Sequence, residues 1–310
     1  MSVCATALPA SAQDAHLIVV TGVAGDEELA AQYQKWATAV IDAAKKKGVP
    51  DANIAYLAEN PDKDPGRIRA RSTRENVAMA FSDVAARAKP NDGVFVLLIG
   101  HGSFDGRQGA FNLPGPDLTA GDFADLLKKL ATERVVFVNT ASSSGAFLEP
   151  LAGPGRTVVA ATKTGGERND TRFAEYFVEA LSTDAADRDR NGRVSVLEAF
   201  DYAKSKVVSA YEQEGHILTE HAVLEDGAKG KLAATIFLAP EGARRADISS
   251  VTDPALRAQL EAQDALERQV AELRLKKDSM DPAQYEQQLE KLLTDLAVKT
   301  KEIRDREGRK

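Results

Sequence analysis

The chain has 310 residues, 43% apolar and 28% charged, with 40 basic against 47 acidic side chains and one cysteine, Cys4. A single thiol excludes an intramolecular disulfide and a zinc site built from cysteines. The net charge of -7, with no long basic block, argues against a nucleic-acid or anionic-membrane surface, and apolar runs such as Val94–Ile99 fall far short of the ~20 residues of a membrane-spanning helix.

In chain order, Ala10-Ser11-Ala12 before Gln13 has the small-x-small form of a signal-peptidase site. Residues 1–12 therefore read as the remnant of an export signal, with an irregular terminus as the alternative. The protein is expected to be periplasmic or secreted, where a mature chain without thiols fits. Residues 13–240 alternate short β-branched runs with amphipathic stretches, the pattern of a parallel sheet covered by helices on both faces. Strands are expected at His16–Val23, Asn53–Ala58, Gly93–Ile99, Arg134–Asn139, Arg156–Ala161 and Leu232–Leu238. Helices are expected at Glu27–Lys47, Arg74–Lys89, Ala120–Ala131, Thr171–Leu181 and Leu197–Tyr211, with Gly48 ending the first and Asp117 or Thr119 capping the third. The fold class is a doubly wound α/β domain.

Composition changes after Pro240. Residues 254–308 carry Leu256, Leu260, Leu266, Val270 and Leu273, then Tyr285, Leu289, Leu292, Leu296 and Ile303, at helical spacings. Asp281-Pro282 between the two stretches supplies an N-cap followed by Pro at the first helical position. An antiparallel helical hairpin or coiled coil follows, read as an arm for self-association or a partner; the alternative is a tail packed on its own domain.

Functional groups in an open α/β sheet gather at the carboxyl ends of strands, and two such ends stand out. Val94–Ile99 runs into Gly100-His101-Gly102-Ser103, and Val135–Asn139 runs into Thr140-Ala141-Ser142-Ser143-Ser144-Gly145. An imidazole between glycines is open to a ligand, and the glycine N–H groups approach one closely. That suits a general base beside an oxyanion site. By themselves the two segments are read equally well as a closing turn and a small-residue N-cap.

As an ordered pair, the two segments resemble the clan of cysteine peptidases that includes legumains, caspases, metacaspases and gingipains, legumain most of all. There the catalytic histidine follows a buried strand as His-Gly, often His-Gly-Ser, as in His101-Gly102-Ser103, and the nucleophile follows the next core strand within Ala-Cys-x-Ser-Gly. The resemblance extends over about residues 15–240 and implies a caspase-like fold with His101 as base and Gly102 N–H as oxyanion donor. Ser142 stands where the cysteine would be, 41 residues after His101.

The departures matter as much. A neighbouring imidazole turns a thiol into a thiolate near neutral pH, whereas a serine hydroxyl needs an oriented base, usually held by a third group. The motif itself shows no orienting carboxylate. Where legumains carry an acidic residue two positions before the nucleophile stands Thr140, and Val23–Gln32 holds no basic residue. Asparaginyl specificity is therefore not supported. Three readings stay open: a natural pseudopeptidase that keeps the cleft to bind peptide or protein, a hydrolase using Ser142 and His101, and a Cys→Ser inactivated form of an endopeptidase.

Residues 187–198 match a twelve-residue EF-hand calcium loop: Asp187, Asp189 and Asn191 as ligands, Gly192 for the turn, the Arg193 carbonyl, Ser195 through water and Glu198 as the bidentate ligand. The expected cofactor is structural Ca²⁺, bound weakly because Arg188, Arg190 and Arg193 reduce the local negative charge. The alternative is a polar turn between helices. Arg168 and Asp170, in the polar loop after the Arg156–Ala161 strand, are candidates to touch a substrate, with a solvated loop as the plainer reading. His16, His216 and His221 carry no metal-site spacing.

Overall fold

The computed structural model describes residues 14–183, 185–188, 192–240, 248–275 and 280–307. Residues 1–12, with Cys4 and the expected export signal, lie outside the described residues. The chain opens with β1 (Ala15–Thr21), entirely buried, and turns through Asp26, whose carboxylate accepts from the Leu29 N–H and so caps α1 (Glu27–Lys46). Strands β2 (Ile54–Ala58) and β3 (Ile68–Arg71) precede α2 (Arg74–Arg87), which is capped by Thr73. The buried β4 (Gly93–Ile99) then delivers a small antiparallel sheet of β5 (Gly102–Phe104), β6 (Gly109–Phe111) and β7 (Leu118–Thr119). Thr119 and Asp122 form a reciprocal capping box at the start of α3 (Ala120–Leu127). The domain continues with β8 (Arg134–Asn139), the short α4 (Leu148–Leu151), β9 (Arg156–Ala160), α5 (Phe173–Ser182), α6 (Val196–Glu214) and β10 (Val223–Glu225).

Seven strands make one sheet in the order β10-β9-β8-β4-β1-β2-β3, parallel except for β10, which runs antiparallel to β9. Side chains alternate between two cores, as strand geometry dictates. Leu17, Val19, Phe95, Leu97, Val136 and Val138 pack with α1, α5 and α6, while Ile18, Val20, Val94, Val96, Val135 and Phe137 pack with α2 and α3. Burial on both faces explains the near-continuous apolar runs of β1, β4 and β8. This is the caspase-like α/β architecture expected from the sequence.

The edges differ from expectation. Leu232–Leu238 is not a sheet strand: Ala233–Thr235 forms a helical turn, and only Ser195 and Phe237 make an isolated bridge. The Asp226 carboxylate accepts from the backbone N–H groups of Ala228, Gly230, Leu232 and Ala233 at 2.8–3.1 Å, and this gathering of amides curls the segment away from an extended form. β10 takes the edge instead. Strands β3 and β5–β7 escape sequence reading because they are short and lack a long apolar run.

At the C-terminus, α7 (Pro254–Leu275) and α8 (Pro282–Glu307) pair antiparallel. Arg306 reaches Asp253 at 3.1 Å, and the Gln263 amide donates to the Thr300 hydroxyl at 3.1 Å. Leu256, Val270, Leu273, Tyr285 and Ile303 are buried, and Asp281 caps α8 as its Asp-Pro signature requires.

His16 opens β1 fully enclosed, 3.5 Å from the buried Asp92 carboxylate. Burial holds its imidazole below the usual 6.5, outweighing the pull of Asp92. A depressed folded-state value means that the stabilising contribution is present above pH 6.5 and is lost as pH falls, because the unfolded chain binds the proton first. Urea unfolding is expected to show lower stability at pH 5.5 than at pH 7.5, with a smaller loss in His16→Leu.

Candidate active site

Parallel register brings the strand ends together. Thr21 of β1 lies opposite Ile99 of β4, Leu98 opposite Asn139 of β8, and Asn139 opposite Ala160 of β9. The order reverses between β1 and β4, which is where an open α/β sheet forms its crevice. His101 leaves β4 and Ser142 leaves β8 at this crevice, and both line one small pocket.

The turn after β8 is held from several sides. The Thr140 N–H and hydroxyl both donate to the Leu98 carbonyl, and the Asn139 side-chain oxygen accepts from the Ala141 N–H. Ser143 adopts φ 57°, a strained value for a non-glycine residue. Its hydroxyl is buried without a partner, while its N–H donates to the Glu167 carbonyl at 2.7 Å. The Ser144 hydroxyl accepts from the Thr162 N–H, and the Thr162 hydroxyl accepts from the Gly145 N–H at 2.8 Å. The run of small hydroxyl residues is therefore a seam between the loops after β8 and β9.

Ser142 is 5% exposed. Its hydroxyl donates to the Gly102 carbonyl at 3.1 Å and accepts from the Gly102 N–H at 3.3 Å. The backbone donor that would meet an oxyanion thus holds the hydroxyl itself. Two close approaches make this possible: a Cβ on Gly102 would lie 2.3 Å from the Ser142 carbonyl oxygen, and one on Gly145 would lie 2.3 Å from the Thr164 nitrogen.

His101 is partly exposed, and its Nδ1 lies 3.1 Å from the Asp170 carboxylate. That contact favours the tautomer with hydrogen on Nδ1, leaving Nε2 as an acceptor. The Tyr33 ring meets the imidazole edge-on at 6.1 Å. Burial and the Asp170 charge push the Tyr33 phenol well above its usual range, so it keeps its proton.

In the sequence Asp170 stands out only as a candidate substrate contact, because neither motif itself contains an orienting carboxylate. It arrives from the loop after β9, nearly seventy positions beyond His101. Its neighbours are anchored: Arg168 donates to the Phe104 carbonyl at 3.1 Å, Thr171 to the Thr140 carbonyl, and the Glu167 carboxylate accepts from the N–H groups of Lys163 and His221 while pairing with the His221 ring at 2.9 Å. The buried Glu220 carboxylate accepts from the Arg172 and Phe173 N–H groups and so caps α5; burial raises its pKa. His216 contacts Glu214 at 3.2 Å.

A larger open cleft of about 650 Å³ lies at the carboxyl ends of β1, β2 and β3 and shares Tyr33 with the His101–Ser142 pocket. Its walls are mixed, with Tyr56, Ile68 and Pro61 beside Asp26, Glu59, Lys63 and Arg71.

Of the expected calcium ligands, Asp189 and Asn191 lie outside the described residues. Asp187 accepts from the Gly192 N–H at 2.8 Å. Glu198 accepts from the Arg188 N–H and forms a capping box with Ser195 at the start of α6. Arg193 lays its guanidinium over the Phe237 ring, 3.5 Å from the centroid.

A model of the peptidase C13 family matches residues 72–224, a span that contains His101, Ser142 and Asp170. None of the curated proteins compared with the chain matches it.

The tight seam leads to a test. Gly145→Ala is expected to lower stability by about 1–3 kcal/mol through backbone overpacking, read as a fall in the urea midpoint at unchanged slope. An unchanged midpoint would contradict the seam.

Proposed function

The chain belongs to the peptidase C13 family, and from that premise we propose that it is a catalytically impaired member whose cleft binds a peptide or protein. One observation carries the reading: the Ser142 hydroxyl is closed on the Gly102 N–H and C=O, while the His101 Nδ1 faces the Asp170 carboxylate at 3.1 Å. A thiol at this position would be ionised by the nearby imidazole; a hydroxyl bonded to backbone at both its proton and its lone pair is not activated. The cleft running past Tyr33 is large enough to hold several residues of an extended peptide, in the volume range of ordinary ligand sites.

A second reading rests on Asp170. If Ser142 swings from Gly102 toward Nε2 of His101, the three side chains supply nucleophile, base and orienting carboxylate, and the released Gly102 N–H becomes a donor for the oxyanion. A fluorophosphonate probe separates the readings, since impairment predicts that Ser142 stays unlabelled. Labelling that falls at least a hundredfold in Asp170→Asn would establish the hydrolase instead. Ser142→Cys tests the third possibility, an otherwise intact endopeptidase: strong peptide cleavage restored by that one change would identify the serine as the lesion.

We further propose that residues 187–198 hold a structural Ca²⁺. Asp187, the Arg193 carbonyl, Ser195 and Glu198 would contribute oxygen ligands, and Glu198 would exchange its cap bonds for the ion. With a weak-range affinity of ~1 mM, 10 mM Ca²⁺ stabilises by about 1.4 kcal/mol. The melting temperature is therefore expected to rise by roughly 2–4 °C in the wild type and not in Glu198→Ala; no rise in the wild type would refute calcium binding.

A further inference from the structure

Beyond Tyr33 the larger cleft opens over the ends of β1, β2 and β3, and its ionised side chains are sorted by strand. Asp26 and Glu27 stand where the chain leaves β1 and enters α1, and Glu59 follows β2. Lys63 lies in the turn between β2 and β3, and Arg71 ends β3. The carboxylates therefore line the side that adjoins Tyr33, whose phenol feels the charge of Asp26, and the cations line the far side. Two strand spacings of about 4.8 Å separate β1 from β3, so the two sides face each other across the cleft. Among the described residues none of these five side chains makes an ion pair. Asp26 uses one oxygen on the Leu29 N–H and Glu59 one on the Ala24 N–H, while Glu27, Lys63 and Arg71 are exposed and make no side-chain hydrogen bond. The floor between the two sides is apolar, with Tyr56, Ala58 and Ile68 buried.

A ligand of one sign would meet one side favourably and the other unfavourably, and a neutral ligand would leave all the charges unpaired. A ligand that carries both signs, several ångströms apart, complements both sides at once, and the low-dielectric floor strengthens each pair. In an extended peptide, residues i and i+2 share a face about 6.8 Å apart, and the long side chains of lysine and glutamate span the rest. We infer that this cleft recognises a dipolar peptide segment, with a basic side chain against Asp26, Glu27 and Glu59 and an acidic side chain against Lys63 and Arg71. The inference rests on the reading of the cleft as a peptide-binding site and names the chemistry of the peptide beyond Tyr33. It is independent of which side chain enters the pocket beside Ser142.

The experiment titrates the full-length chain by calorimetry with acetylated pentapeptide amides of one length. Two are dipolar (Ala-Lys-Ala-Glu-Ala and Ala-Glu-Ala-Lys-Ala), one is basic (Ala-Lys-Ala-Lys-Ala), one acidic (Ala-Glu-Ala-Glu-Ala) and one all alanine. The better dipolar peptide is expected to bind at least about threefold more tightly than the other three classes, the scale of partly exposed charge pairs. Raising salt from about 20 to about 200 mM is expected to shrink that advantage. Reversing the far side with Lys63→Glu and Arg71→Glu together is expected to make the basic peptide the tightest ligand, and Glu27→Lys is expected to move the preference the opposite way, toward the acidic peptide. These three side chains are exposed, so the fold is expected to tolerate the changes, with the urea midpoint as the check. A basic, acidic or all-alanine peptide binding the wild type as tightly as the better dipolar one would overturn the inference while leaving peptide binding intact, and so would a preference unmoved by either charge reversal. Absence of binding by every peptide would overturn both.

Discussion

The pairing of β4 with β8, and of β4 with β1, is the constraint on which the site depends. Parallel register places Leu98 opposite Asn139 and Thr21 opposite Ile99, so chains leaving these strands start from one level. His101 and Ser142 then meet although 41 residues separate them. Burial on both faces makes that register hard to change, because a one-residue slip would exchange every side chain between the two cores. The candidate site inherits its precision from the sheet, while the loops carry its polar side chains.

Those loops are organised largely by carboxylates and small hydroxyls that bind backbone. Asp226 curls the segment after β10, Glu220 caps α5 from a distance, Glu167 joins the loop after β9 to His221, and Ser144 and Thr162 sew the loops after β8 and β9 together. Each satisfies amides that no strand or helix could reach, as buried backbone requires. The strained Ser143, with its N–H fixed to the Glu167 carbonyl, shows how firmly the surroundings determine the turn that presents Ser142. The same loop carries Asp170, so the position of the imidazole and the shape of the Ser142 turn depend on one set of contacts.

Within this frame, a serine at the end of β8 makes contacts that a thiol would not. Sulfur makes weak hydrogen bonds and ionises near neutral pH, whereas a hydroxyl is a good partner for the Gly102 backbone on both sides. Ser142 therefore rests on the Gly102 backbone, donating to its carbonyl and accepting from its N–H.

Much of this was readable from residue order alone. The apolar runs of β1, β4 and β8 marked strands buried on both faces, Gly-His-Gly and the serine cluster marked the loops that leave β4 and β8, and Asp281-Pro282 marked the start of α8, because each is a local signal whose physical cause lies within a few neighbours. The family resemblance rested on the same local motifs. What residue order left open were contacts closed by the folded chain: Asp170 on His101, Asp226 on the turn that replaced an expected strand, Glu220 at the head of α5, and the Leu29–Tyr33–Trp36 wall facing Ser142. A charged residue in a polar loop has the same local appearance whether it faces solvent or an imidazole. Only the sheet register and the path of the loop after β9 bring Asp170 to 3.1 Å from His101, and that is a property of the tertiary structure.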